Sequence, residues 1–230
     1  MAISLVGTST GGPTLNDVTI TLPAGIAQND VVYAAGMTGT IADQDVTESS
    51  GTYTELADLY SNDTNDTNLG VYRKVQGATP DSSVTIDAGT NNIGVALTLR
   101  GVNTTTPEDA TTTTATAPNN GTPDPPSIVT ATANAWVLPF AASSEGDAVT
   151  NPPTNYTNLV DIQDGPRNVM ASSREIASPG TEDPGAYDDI AGQTSDSWSA
   201  ATVAVRPAPA VIMPPPPTII NQAVQRAAFW

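Results

Sequence analysis

Ahead of its C-terminus this chain has no run of apolar residues at helical spacing, and that constrains the fold more than any other feature. Its apolar residues fall in short β-branched stretches cut apart by Gly, Pro, Asn and Asp, which suits strands and turns. The stretches run over residues 3–6, 18–22, 31–36, 54–60, 70–75, 83–86 and 93–100. They resume at 127–132, 135–141, 156–162, 169–176 and 198–206. Turn chemistry is explicit at Gly77-Ala78-Thr79-Pro80-Asp81 and Ser178-Pro179-Gly180. Strands of this length with turns between them predict an all-β protein, a sandwich or barrel.

Segments recur along the chain at nearly constant spacing. Tyr53-Thr54-Glu55-Leu56-Ala57-Asp58 resembles Tyr156-Thr157-Asn158-Leu159-Val160-Asp161, and Arg73 and Val75 are matched with Arg174 and Ile176. Residues 95–100 match 201–206, and 30–35 answer 135–140. Two small sandwiches or two halves of one would both produce this pattern. Each half offers few strands for an independent sandwich, which favours one jelly-roll-like β-sandwich over residues 1–207. Its repeated halves would cover about 1–103 and 127–207. Residues 104–126, polar and rich in threonine and proline, would be a linker or a strand-bearing crossover.

Composition removes much chemistry. With no cysteine and no histidine, disulfides, thiol catalysis, Ser-His-Asp triads and His/Cys zinc sites are impossible. A formal charge of -17 repels phosphate and anionic lipid, so neither nucleic acid nor membrane is expected as a partner. No stretch approaches the ~20 apolar residues of a membrane helix, and Met1–Leu5 does not read as a signal peptide. Lys74 is the only lysine, and no phosphate-cradling glycine loop occurs. No cofactor, no metal and no enzymatic activity are expected.

Three weaker signals remain. Asp58 with Asp161, or Glu182 with Asp183, would give a carboxylate pair of the glycosidase kind, but 24 acidic residues scattered over turns produce such pairs without purpose. Asp63 and Asp66, in the polar run 61–68, offer oxygen ligands for Ca²⁺ without the spacing of a helix-loop-helix site. Tyr33, Tyr72, Trp136 and Trp198 read as core. Tyr53, Tyr60 and Tyr156 flank loops and are the candidates for an exposed sugar platform.

After Arg206 the character changes. Pro207 to Met213 lead into Pro214-Pro215-Pro216-Pro217, a stiff polyproline rod, and then into a segment ending Phe229-Trp230 with Asn221 as a helix N-cap. Residues 208–230 are therefore expected to form an extended proline-rich C-terminal arm. At ~3.1 Å per residue, the stretch 207–217 would span roughly 30 Å. Ile219, Ile220, Val224, Phe229 and Trp230 are its candidate partner-binding anchor.

One resemblance can be drawn from residues 51–56, 60–74 and 77–81, continued by Leu99-Arg100-Gly101-Val102-Asn103, Asp196-Ser197-Trp198 and Ala204-Val205-Arg206-Pro207. Over residues 28 to 207 this pattern resembles a group of β-rich tail and virion proteins of phages that infect proteobacteria and other environmental bacteria. The resemblance implies a virion structural component with a sandwich fold, and it carries no catalytic residues. The expected role is a surface head decoration (cement) subunit attached by the arm. Its partners would be other capsid or tail proteins and further copies of itself, a homo-oligomer such as a trimer. The alternative is a tail or tail-fibre subunit whose sandwich binds a host glycan.

Overall fold

A computed structural model describes residues 1–38, 42–62, 66–87, 89, 91–118, 122–144, 149–187 and 196–210. Among them there is no helix, and fifteen antiparallel strands form the fold. They are β1 (Ser4–Thr14), β2 (Val18–Thr21), β3 (Val31–Thr38), β4 (Thr47–Glu48), β5 (Thr54–Ser61), β6 (Thr67–Val75), β7 (Ser83–Asp87) and β8 (Asn92–Arg100). Then come β9 (Thr113–Ala117), β10 (Ile128–Thr130), β11 (Ala135–Ser143), β12 (Thr157–Asp164), β13 (Arg167–Ile176), β14 (Gly180–Glu182) and β15 (Trp198–Val205). Every run expected to be a strand is one. The crossover 104–126 also carries β9, whose Thr113-Thr114-Ala115-Thr116-Ala117 has no large apolar residue to announce it.

Two five-stranded sheets, ordered β1-β8-β3-β6-β5 and β9-β15-β11-β13-β12, pack face to face. The central strands are buried on both faces, so alternate residues serve different cores. Tyr33, Ala35 and Met37 of β3 point into the core shared with Leu138, Phe140 and Ala142 of β11, whereas Val32 and Ala34 face outward. Outside the first large sheet lies β2-β7-β4, with Ile20 and Ile86 packed on Val32, Ala34 and Ala96. Outside the second lies the short pair β10-β14, where Ile128 covers Val137 and Ala204.

The strand orders correspond one to one between the halves, and so do their stacking partners: β1 lies on β12 as β9 lies on β5, and β8 on β12 as β15 on β5. Ladder registers match as well. Tyr33 faces Leu97 as Leu138 faces Val203, and Ala35 faces Val71 as Phe140 faces Ala171. By the same registers Val32 faces Lys74 as Val137 faces Arg174. The counterpart of Arg174 is therefore Lys74, and the match of Arg174 with Arg73 is corrected by one residue. Asn29 and Asn134, both at positive φ (70° and 58°), turn the chain into β3 and β11.

The outer layers differ for a local reason. Gly11, Gly94, Gly36 and Gly70 form a row across four adjacent strands. A Cβ on Gly36 would stand 2.7 Å from Ile86 and one on Gly94 2.8 Å from Ile20, so the row lets the outer sheet sit close. In the second half the places of Gly94, Gly36 and Gly70 hold Ala200, Ala141 and Met170, and buried Tyr187 covers them. Its hydroxyl donates to the Pro139 carbonyl at 2.9 Å.

Because both halves share one core, unfolding monitored by tryptophan fluorescence, to which Trp136 and Trp198 of the second half contribute, and by whole-chain circular dichroism should coincide. Phe140→Ala, at a position with no exposure, should lower stability by about 3–5 kcal/mol without splitting the transition. Two separated transitions would show that the halves unfold independently.

Candidate functional site

Strands β8 and β15 end beside each other, and there the chain changes hands between the halves. Beyond β8, Val102 pairs antiparallel with Pro207. Asn103 N–H donates to the Arg206 carbonyl at 2.9 Å, and Ala208 N–H to that of Gly101 at 2.7 Å. The N-terminal amine donates to the Ala208 carbonyl at 2.8 Å. Gly101 has φ +81°, and a Cβ there would lie 2.3 Å from the Ala2 carbonyl oxygen, so only glycine fits this crossing.

An arginine closes each of the two strands. Arg100 grips Asp30 with two bonds, Nε to Oδ1 at 2.8 Å and one terminal nitrogen to Oδ2 at 2.7 Å. Arg206 reaches Asp109, Nε to Oδ1 at 3.1 Å. Burial pushes the Asp109 carboxyl up, but bonds from Thr132 Oγ1, the backbone N–H groups of Thr132 and Ala131, and Arg206 outweigh it and hold it below its usual value. Neighbouring Glu108 takes a two-pronged bond from Arg73, at 2.9 and 3.1 Å. Sequence reasoning does not single out these acids. The signal that could have found them is the recurrence of an arginine at the end of matching strands, each of which needs a carboxylate.

Next to this crossing is a pocket of about 620 Å³ lined by Asp30, Arg100, Thr104, Thr106, Met1 and Pro209. It opens where residues 207–210 leave the sheet. The candidate anchor residues Ile219, Ile220, Val224, Phe229 and Trp230 lie outside the described residues.

A second pocket of about 510 Å³ lies between β4, β6 and β7. Lys74 Nζ bonds Asp81 at 2.7 Å and Thr52 Oγ1 at 3.0 Å and stands 5.2 Å from the Tyr53 ring centre. The Tyr53 hydroxyl donates to Asp81 at 3.2 Å. Burial and that carboxylate raise the Tyr53 pKa, so the phenol stays a donor. Glu48 accepts the backbone N–H groups of Ser50, Thr52 and Tyr53 and fixes the loop. The second half repeats the trio as Tyr156, Arg174 and Glu182, with the Tyr156 hydroxyl 3.1 Å from Glu182. There the ring is buried, so Tyr156 is not the exposed platform expected for it. Tyr60 is half-buried, its hydroxyl bonded to buried Asp66 at 2.7 Å.

The proposed carboxylate pairs do not meet. Asp58 and Asp161 lie on β5 and β12, at opposite edges of the stacked sheets. Glu182 is buried against Arg174 while Asp183 is exposed. Of the two Ca²⁺ candidates, Asp66 accepts the Tyr60 hydroxyl and Asp63 lies outside the described residues. No cluster of metal-ligating side chains occurs among the described residues. Comparisons with protein-family models, with curated proteins and with solved structures give no match.

Among the described acids, Asp161 has the carboxyl raised furthest. Burial pushes its carboxyl up to about 6 against bonds from Val149 N–H and Asn168, and its Oδ1 is enclosed without a partner. Because the folded pKa exceeds the unfolded one, the native state binds more protons between roughly pH 4 and 6, and stability falls as pH rises through that window. Asp161→Asn should therefore gain on the parent as pH rises from 4 to 7 in denaturant melts. A difference that stays constant would refute the assignment.

Proposed function

We propose that the chain is a structural subunit of a phage particle, a surface decoration (cement) subunit of the head held by its C-terminal arm. The observation that carries this reading is the crossing at Val102 and Pro207. There the last described residues leave β15 paired with Val102, bonded to Gly101 and bonded to the N-terminal amine. A rigid base of that kind gives the proline-rich stretch a defined starting point, and stiffness beyond it delivers Ile219, Ile220, Val224, Phe229 and Trp230 to a neighbour at a set distance. Apolar anchors of about 1.5–3 kcal/mol each, repeated over a symmetric assembly, hold a subunit firmly. The resemblance to β-rich virion proteins and the net charge of -17, which keeps a free subunit soluble, support the same role. Location in the virion, contact with other virion proteins and assembly as a homo-oligomer such as a trimer are parts of this proposal.

We also read residues 1–207 as a duplicated jelly-roll-like unit whose copies pack on their large sheets about an approximate two-fold axis. Matching strand orders and registers support it, as does the recurrence of a Tyr–cation–carboxylate trio.

Removing residues 211–230 spares the bonds of Ala208. The truncated protein should keep the parent's melting temperature and lose incorporation into particles, scored by sedimentation of assembled heads with added subunit. Normal incorporation would end the anchor reading.

The pocket beside Tyr53 favours a second reading, a tail or tail-fibre subunit that binds a host glycan. It offers a tyrosine, a lysine, the carboxylates of Glu48 and Asp81, and serine and threonine hydroxyls in one recess. On arrays of host polysaccharide, binding by the parent and its loss in Tyr53→Ala and Asp81→Ala would be expected. A parent that binds nothing would remove this alternative.

A further inference from the structure

The crossover between the halves shows what a chain leaving β15 would do if its sequence allowed. Matching β8 to β15 by their registers makes Gly101–Thr112 the counterpart of Pro207–Thr218. In the first half this stretch passes the crossing and then enters the sheet beside β15. Glu108 pairs with Val205, Asp109 N–H donates to the Ala204 carbonyl at 2.8 Å, and Arg206 N–H donates to that of Pro107 at 2.7 Å. The chain continues as β9, paired with β15 from Thr202 back to Trp198. The corresponding seat beside β8 is held by β1, with Ser4 facing Arg100 and Leu5 facing Leu99.

At the places of Glu108, Asp109, Ala110 and Thr111 the arm carries Pro214, Pro215, Pro216 and Pro217. Pro215 has no N–H to make the bond that Asp109 makes, and a run of prolines cannot join a ladder. The strand it would displace is irregular. β1 is an edge strand with glycines at 7, 11 and 12, register shifts at Leu5/Gly7 and Gly11/Thr14, and most residues partly or fully exposed. We infer that Pro214–Pro217 is a block that keeps the arm from replacing β1 at the edge of β8, in its own chain or in a second copy, and so reserves the arm for an outside partner. The inference rests on the correspondence of the two halves and not on the particle role.

The chain has no cysteine, so a disulfide reports the contact cleanly. Thr113 faces Thr202, which makes Ile219 the expected neighbour of Ala96 on β8. Ile219→Cys with Ala96→Cys would be placed in the full-length parent and in a variant carrying Pro214→Glu, Pro215→Asp, Pro216→Ala and Pro217→Thr, the residues of 108–111. Restoring a donor and a ladder should speed oxidation to the 96–219 disulfide by at least about tenfold. Without the cysteines, the same four substitutions should raise amide hydrogen exchange over residues 4–14. The unpaired β1 would be seen whether the arm enters its own chain or a second copy, and sedimentation tells the two apart. Equal disulfide rates in the two backgrounds, or unchanged exchange over 4–14, would overturn the block. Because both readouts use the free protein, they stand or fall apart from incorporation into particles.

Discussion

The face-to-face burial of the two large sheets is the constraint on which the rest of this structure depends. A sheet with one wet face can place a polar residue at every second position. Here β3, β8, β11 and β15 have covered faces on both sides, so apart from Asn92 and Arg100 those strands are built from apolar residues, Gly, Ser and Thr. The charge of -17 is thereby driven to loops, edges and outer layers. Small residues on the outward faces are a direct consequence. The glycine row of the first half and the alanines under Tyr187 in the second solve the same problem of bringing a further layer close, one by removing side chains and one by filling the gap with a ring.

Polar groups that remain at the strand ends are committed in pairs, because a lone charge there would cost more than a paired one. Arg100 with Asp30 ties the end of β8 to the turn that leads into β3, and Arg206 with Asp109 ties the end of β15 to the crossover that leads into β9. Arg206 and Asp109 also bind the crossover to the second half, so the crossing at Val102 and Pro207 is fixed from both sides. Asp161 departs from this logic. It is a half-covered acid whose carboxyl is raised by burial, and the backbone N–H and amide that hold it, with no cation beside them, offset that burial only in part.

How much of this was legible in the sequence depended on how many large or β-branched apolar residues a strand carries. Strands such as β3 and β8, buried on both faces, announce themselves through continuous apolar runs, and their ends fall where Gly, Asn and Asp stand. β9 escaped as a strand in its own right because its partner β15 supplies the burial and its own residues are only Thr and Ala. Matching the cations of the two halves by residue identity also misled: like was set against like at Arg73 and Arg174, yet the ladder puts Lys74 at the place of Arg174. A shift of one residue turns a side chain to the other face of a sheet, and identity alone carries no information on facing. Tyr156 misled in the same manner, since a tyrosine at the mouth of a strand reads as exposed until a neighbouring layer covers it.

The arm depends on this same architecture. Its first residues are held by the crossing that passes the chain from one half to the other, so the fold fixes where the arm starts. The sequence that follows holds four consecutive prolines, Pro214 to Pro217, which a sheet interior does not accept. A chain continuing past Arg206 with ordinary residues would meet the edge of β8 already filled by β1, and two segments would compete for one ladder. Edge strands with glycine-rich, irregular pairing are the natural losers of such a contest. The proposed block at Pro214–Pro217 would remove one competitor through a missing donor, which needs no change inside the core. On the two proposals made above, the stiffness of a tether and the exclusion from the edge would come from the same covalent fact, the proline ring.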